Sequence, residues 1–154
     1  IWEKSNALGF LSANKIPLRK HEMIYVFGNK YKSFKTYNPI KTKGKPYKTK
    51  RKSSEIYGIV KPIATDNKGD RFPTSILKFG YDKNKYHPTQ KPIKLCEYLI
   101  KTFSNEGEMV LDFTMGSGST CVACINTNRN YIGFEKDKKI FKTANERINK
   151  TITI

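Results

Sequence analysis

Acidic side chains are scarce in this chain of 154 residues: 13 Asp and Glu face 30 Lys and Arg, for a formal net charge of +17. So large a deficit of negative charge implies an anionic partner, most often nucleic acid. Long hydrophobic runs are missing as well. No stretch approaches the roughly 20 apolar residues that cross a bilayer, and no charged-then-apolar opening marks a secretory signal. Cysteine is limited to Cys96, Cys121 and Cys124. An odd set without an export signal argues against a disulfide framework and for a reducing cytoplasm. Cys121 and Cys124 have the spacing of a redox or zinc pair, but no second pair completes a zinc site. They read as two small residues packed on one helix face. What remains, 37% hydrophobic and 28% charged residues, suits one domain-sized chain able to bury a core. The chain opens on Ile1-Trp2-Glu3-Lys4, without an initiator Met, and reads as a fragment or processed product.

The charge is unevenly spread. Residues 1–86 hold 20 basic and 6 acidic side chains, whereas residues 87–154 hold 10 and 7. The halves read as a polyanion-facing device and a near-neutral one. Glu22-Met-Ile-Tyr-Val-Phe-Gly28 has the composition of a short strand closed by glycine, and Leu8 to Arg19 reads as a loop. From Lys30 to Asp70 basic and small residues dominate. Taken alone, that stretch suits a solvated loop. Its lysines, interleaved with Tyr31, Phe34, Tyr37, Tyr47 and Tyr57, also suit a DNA-contacting insert, in which cations neutralise phosphates and aromatics stack or pack. The charge asymmetry favours the insert. Residues 71–86 read as a linker that ends at His87.

Beyond that point the pattern is regular. Pro92 suits a first helical turn, and Ile93, Cys96, Leu99, Ile100 and Phe103 repeat at helical spacing. Met109-Val110-Leu111 is a short strand, Thr120 to Asn128 a helix, and Tyr131 to Phe134 a second strand. Asp137 is an N-cap for a last helix carrying Ile140, Phe141, Ala144 and Ile148. The order β-loop-α-β-α predicts an α/β fold with a parallel sheet.

In such a unit the first strand's carboxyl end, the Gly116-Ser117-Gly118 turn and the next helix's N-terminus form a ligand crevice. Glu135 lies 23 residues beyond Asp112, near the spacing at which a carboxylate meets ribose hydroxyls. A nucleoside-containing cofactor follows. A dinucleotide fingerprint would want glycine where Cys121 stands, and Asp112 at the loop's mouth suits a ligand with an ammonium group. This points to S-adenosyl-L-methionine over NAD and disfavours a nicotinamide oxidoreductase.

His87-Pro-Thr-Gln-Lys-Pro92, a helix, then Val110-Leu-Asp-Phe-Thr-Met-Gly-Ser-Gly-Ser-Thr120 closely resembles the β-class DNA amino-methyltransferases. Their motif X precedes motif I in this permuted order. Arg129 to Glu135 looks like motif II. Ile1 to Lys4 and His21 to Phe27 are similar, more weakly, to the motif VII and VIII region. The resemblance implies a partial Rossmann-like class I methyltransferase fold with a target-recognition insert between motifs VIII and X. Expected domains are thus 1–29 as part of the sheet, 30–86 as the DNA-recognition insert and linker, and 87–154 as the cofactor-binding subdomain. It further implies that Thr89 and Lys91 contact the methionine carboxylate, with His87 shaping the loop. Asp112, Phe113, Thr114, Gly116, Ser117 and Gly118 would hold the amino-acid end, Glu135 the ribose, and Lys136 would lie near the adenine. Phe113 departs from the proline common at that position.

The family's catalytic tetrapeptide, Asp-Pro-Pro-Tyr or a close variant, does not occur. The seven prolines are never adjacent. Implied partners are therefore double-stranded DNA, through 30–86, and a polypeptide carrying that motif. The expected activity is amino-methylation of DNA, adenine N6 favoured over cytosine N4, with the chain inactive alone. A non-catalytic DNA-binding or specificity subunit is the alternative. Because phosphate contacts carry little substrate identity, RNA stays open as a target.

Overall fold

The computed structural model describes residues 1–28, 36–50 and 64–153. It divides into two compact units, Ile1–Asn38 with Ser75–Ile154, and Pro39–Thr74.

In the larger unit, strand β1 (Trp2–Leu8) pairs antiparallel with β2 (Arg19–Glu22), Trp2 opposite Glu22. A 3-10 turn over Phe10–Ser12 lies between them. On its other edge β1 pairs in parallel with β7 (Leu77–Lys78). Trp2 anchors this sheet. It is 2% exposed, its indole N–H donates to the Phe79 carbonyl at 3.0 Å, and Tyr81 meets it edge-on. Two expectations fail here. The strand expected over residues 22–28 ends at Glu22, and Met23, Tyr25, Val26 and Phe27 are exposed outside any ladder. β-propensity describes a side chain that suits a half-buried sheet, and among the described residues no strand pairs with these. Conversely, the expected linker contains β7.

The rest of this unit follows the expected order. Helix α1 (Ile93–Phe103) leads to strand β8 (Met109–Asp112), helix α2 (Ser119–Asn126), strand β9 (Asn130–Gly133) and helix α3 (Lys138–Ile152). β8 and β9 run parallel, with Asp112 beside Gly133, and α2 makes the crossover. This is a partial Rossmann-like α/β unit. Asp137 caps α3, its carboxylate accepting from the Lys139 and Ile140 N–H groups at 2.8 and 3.0 Å, which satisfies donors the helix cannot. Cys121, Val122, Ala123 and Cys124 of α2 are buried. They pack with Met115, Ala144 and Ile148 on one side and Ile100 on the other. Burial pushes the thiols up, to about 11 for Cys96 and Cys121 and about 12 for Cys124, so they are apolar core groups at neutral pH. Gly133 permits a close approach in this core: an added Cβ would stand 2.5 Å from Met115 Sδ and 2.9 Å from Cys121 Sγ.

Among its described residues the smaller unit holds four short strands. β3 (Thr42–Lys43) pairs antiparallel with β6 (Asp70–Arg71), and β4 (Tyr47–Lys50) with β5 (Ala64–Asn67). All residues from Lys41 to Lys50 are exposed. The Arg71 guanidinium lies 4.7 Å from the Tyr47 ring centroid and the Lys41 ammonium 4.7 Å from that of Phe72, so these two exposed aromatics carry cations against their faces. Asp66 pairs with Lys48 and Lys68, and Asp70 with Lys41 and Lys43. The expected insert, 30–86, is longer than this unit. Residues 36–38 and 75–86 fall in the larger unit, while Lys30, Tyr31, Phe34 and Tyr57 lie outside the described residues.

Candidate functional site

One wall of a cleft of about 490 Å³ in the larger unit is the segment before α1, and the other is the loop between β8 and α2. The loop takes its form from local bonds. Asp112, ending β8, accepts from the Thr114 N–H at 3.0 Å through one carboxylate oxygen. Gly116 and Gly118 have φ of 51° and 74°, the left-handed region where side chains are costly. That geometry lets the Gly118 N–H reach the Met115 carbonyl at 2.8 Å and start α2. Met115 N–H in turn donates to the Phe134 carbonyl at 2.9 Å, binding the loop to the end of β9.

Glu135 sits just past β9 and closes the far side. One of its oxygens accepts from the Gly116 N–H at 3.1 Å and the other from the Asp137 N–H at 2.9 Å. A carboxylate offers about four lone-pair sites, so this orients the group and leaves capacity for a ligand. On the opposite wall, His87 Nδ1 lies 3.0 Å from Thr89 Oγ1, which fixes the turn into Pro92. The Lys91 ammonium stands 3.0 Å from the Glu22 carboxylate, which Lys4 also pairs. Burial raises the Glu22 pKa, but hydrogen bonds and charge from the two lysines outweigh it and hold the carboxyl below its ordinary value.

His87, Thr89, Lys91, Asp112, Thr114, Gly116, Ser117 and Glu135 all line this one cleft. Gly118, Phe113 and Lys136 do not. Gly118 is buried behind the loop with Ile148 against its α-carbon, Phe113 is 75% exposed, and Lys136 is exposed. The cleft also recruits Gln90, Met115, Ser119, Thr120 and Ile140, which sequence reasoning passed over. Gln90 carried a signal, since it lies inside the quoted hexapeptide.

Two further residues stand behind the walls. Arg147 of α3, 7% exposed, donates to the Ser117 carbonyl and hydroxyl and to the Ser119 hydroxyl at 3.0 to 3.2 Å. It also pairs with Asp82 at 3.4 Å. Asp82 accepts from the Gln90 amide at 2.9 Å and from the Ile93 N–H at 3.1 Å. No metal-ligating group of three or more His, Cys, Asp or Glu occurs among the described residues, and no helix among them is long and apolar enough to cross a membrane.

Several known proteins are similar to this chain in sequence. The type II methyltransferase M.HpaI of Haemophilus parainfluenzae is 40% identical over 82 residues, 50% of this chain and 26% of that protein. The orphan methyltransferase M.BamHII of Bacillus amyloliquefaciens is 41% identical over 85 residues, 54% of this chain and 32% of that protein. Among solved structures, a complex of M1.HpyAVI with SAM is 39% identical with a TM-score of 0.47, covering 55% of this chain and 43% of that one. The chain spans no more than about a third of the curated relatives it matches. Residues 1–146 match the N6_N4_Mtase family, described as DNA methylase, and the chain belongs to that family.

Proposed function

We propose that this chain is the cofactor-binding and DNA-recognition portion of an S-adenosylmethionine-dependent DNA methyltransferase acting on an exocyclic amine, adenine N6 in preference to cytosine N4. One observation carries the reading: the His87–Lys91 turn, the Asp112–Ser119 loop and Glu135 converge on a single cleft whose volume is within the range of roughly 300–1,000 Å³ usual for small-molecule sites. The donor set fits the cofactor's chemistry. Asp112 keeps lone pairs for an ammonium group, Thr89 and Lys91 suit a carboxylate, and Glu135 can accept from two ribose hydroxyls. The cofactor supplies an electrophilic methyl group on a sulfonium centre. The chain's own residues bind and orient it, and orientation is a large part of what such a transfer requires. Gly118 would act by shaping the loop, while Phe113 and Lys136 would act from the rim.

Recognition of double-stranded DNA falls to the basic region 30–86, through phosphate neutralisation. The acceptor base must leave the duplex for chemistry, and the sequence holds no Asp-Pro-Pro-Tyr to receive it. A polypeptide carrying that motif is the expected partner. The isolated 154-residue chain should therefore bind S-adenosylmethionine and DNA without methylating. Transfer of tritiated methyl groups to DNA should appear only on mixing with such a polypeptide. Robust transfer by the chain alone would overturn this division of labour. Absence of measurable S-adenosylmethionine affinity would leave the alternative, a DNA-binding or specificity subunit, which the missing tetrapeptide favours.

A further inference from the structure

Asp82 and Arg147 touch both walls of the cleft but do not line it, and they are far apart in sequence. From the Asp112–Ser119 wall, the Ser117 hydroxyl donates to the Gln90 side-chain oxygen at 3.3 Å. From the other wall, Gln90 donates to Asp82 at 2.9 Å and to the Asn84 carbonyl at 3.1 Å, while its oxygen also accepts the Tyr86 N–H at 2.9 Å. Arg147 closes the ring, bonded to Ser117 at one end of its guanidinium and to Asp82 at the other. Its carbon lies 4.8 Å from the Tyr86 ring centroid. The result is a closed circuit, Arg147–Ser117–Gln90–Asp82, that spans the base of the cleft from behind.

We infer that Asp82 and Arg147 are positioning residues that fix the separation of the cleft's two walls and so select for the amino-acid end of the ligand. This rests on the proposed S-adenosylmethionine reading of the cleft. An ion pair drawn this far out of water, with Arg147 buried and Asp82 partly so, is a poor way to gain stability, because desolvation offsets the attraction. What the pair supplies is geometry. The planar guanidinium holds several acceptors in a fixed fork, which a lysine ammonium cannot reproduce. The ribose side of the cleft has a second anchor: Glu135 accepts from Gly116, next to Ser117, through one oxygen, and from Asp137, away from both walls, through the other. Loosening the circuit should thus free the wall that carries Thr89 and Lys91 from the wall that carries Asp112 and Thr114, while Asp137 still anchors Glu135 at the nucleoside end.

The test uses Arg147→Lys and Asp82→Asn in the full 154-residue chain. Calorimetric titration compares S-adenosylmethionine with adenosine, which lacks the amino-acid end, and circular dichroism checks the fold. The expected result is that both variants lose about tenfold or more in S-adenosylmethionine affinity, in line with what small misplacements cost, while adenosine affinity changes by less than about twofold. Equal weakening of both ligands would show general loosening and overturn the inference, as would unchanged affinity for both. If Arg147→Lys does not fold, Asp82→Asn, which keeps the side chain's volume, decides alone. A wild-type chain that binds adenosine but not S-adenosylmethionine would instead overturn the cofactor reading itself.

Discussion

The two units of this chain meet their proposed ligands by opposite physical means. Around the cleft, most polar side chains have assigned partners at fixed distances, and several are buried: Gln90, Ser117, Ser119 and Arg147 are all under 9% exposed. In residues 39–74 ten Lys and Arg accompany three acids, and most described side chains are exposed. A buried, singly arranged site is sensitive to each member because a lost partner strands another polar group. An exposed field of like charge is the sum of many interchangeable contributions that salt can screen. The first kind recognises one small molecule. The second suits a polymer whose charge repeats.

The largest expected effect separates these mechanisms. Raising salt from 50 to 200 mM should weaken DNA binding on the order of 10³-fold if about six phosphates are neutralised, while S-adenosylmethionine affinity stays within about twofold. Filter binding and calorimetry over the same salt series would check both. A flat DNA response would break the contrast.

Next in size is the reciprocal pair of substitutions. Asp112→Ala should weaken S-adenosylmethionine roughly 100-fold, the upper range for a hydrogen bond to a charged partner, and leave DNA affinity unchanged. Lys45→Ala or Lys50→Ala should do the opposite, each lowering the salt slope of DNA binding by about one with no change in cofactor affinity. Loss of cofactor affinity in either lysine variant would contradict the division.

How much of this could be read from the sequence divides along the same line. Helices α1 and α3, strands β8 and β9, and the Asp137 cap are local matters of periodicity and capping, and the sequence places them within a few residues of their ends. The walls of the cleft were legible because the hexapeptide and the glycine loop are contiguous. What escaped depends on distant partners. β7 is a strand only because β1 lies beside it, Trp2 opposite Leu77, and residues 23–28 are not one although their composition favours it. Arg147 looks like any basic residue of an amphipathic helix until Ser117 and Asp82, 30 and 65 positions away, meet it in the interior.

A smaller effect tests the loop that joins the cleft to the core. Gly118→Ala would force a left-handed φ of 74° on alanine and bring its Cβ to 3.1 Å from Ile148 Cδ1. The backbone cost alone is about 1–2 kcal/mol, so the melting temperature of the larger unit should fall. If the basic region binds DNA as proposed, DNA affinity measured below that transition should match the wild type.

The smallest effect concerns pH and belongs to the unit that holds the three cysteines. Burial raises the Cys124 thiol to about 12 and Cys96 and Cys121 to about 11, whereas an unfolded cysteine ionises near 8.5. The sign follows from proton linkage. Below pH ~8.5 both states carry the proton and the difference costs nothing. Above it the unfolded chain gives up protons that the folded chain keeps, so stability falls as pH rises towards the folded values. Between pH 8 and pH 9 each such thiol should remove about 0.7 kcal/mol. Denaturant melts at the two pH values should therefore show a smaller loss for Cys124→Ala than for the wild type, by that amount. An equal loss in both would mean that the Cys124 thiol ionises as readily in the folded chain as in the unfolded one. The pairing of Cys121 with Cys124 on the buried face of α2 would then need another explanation than packing.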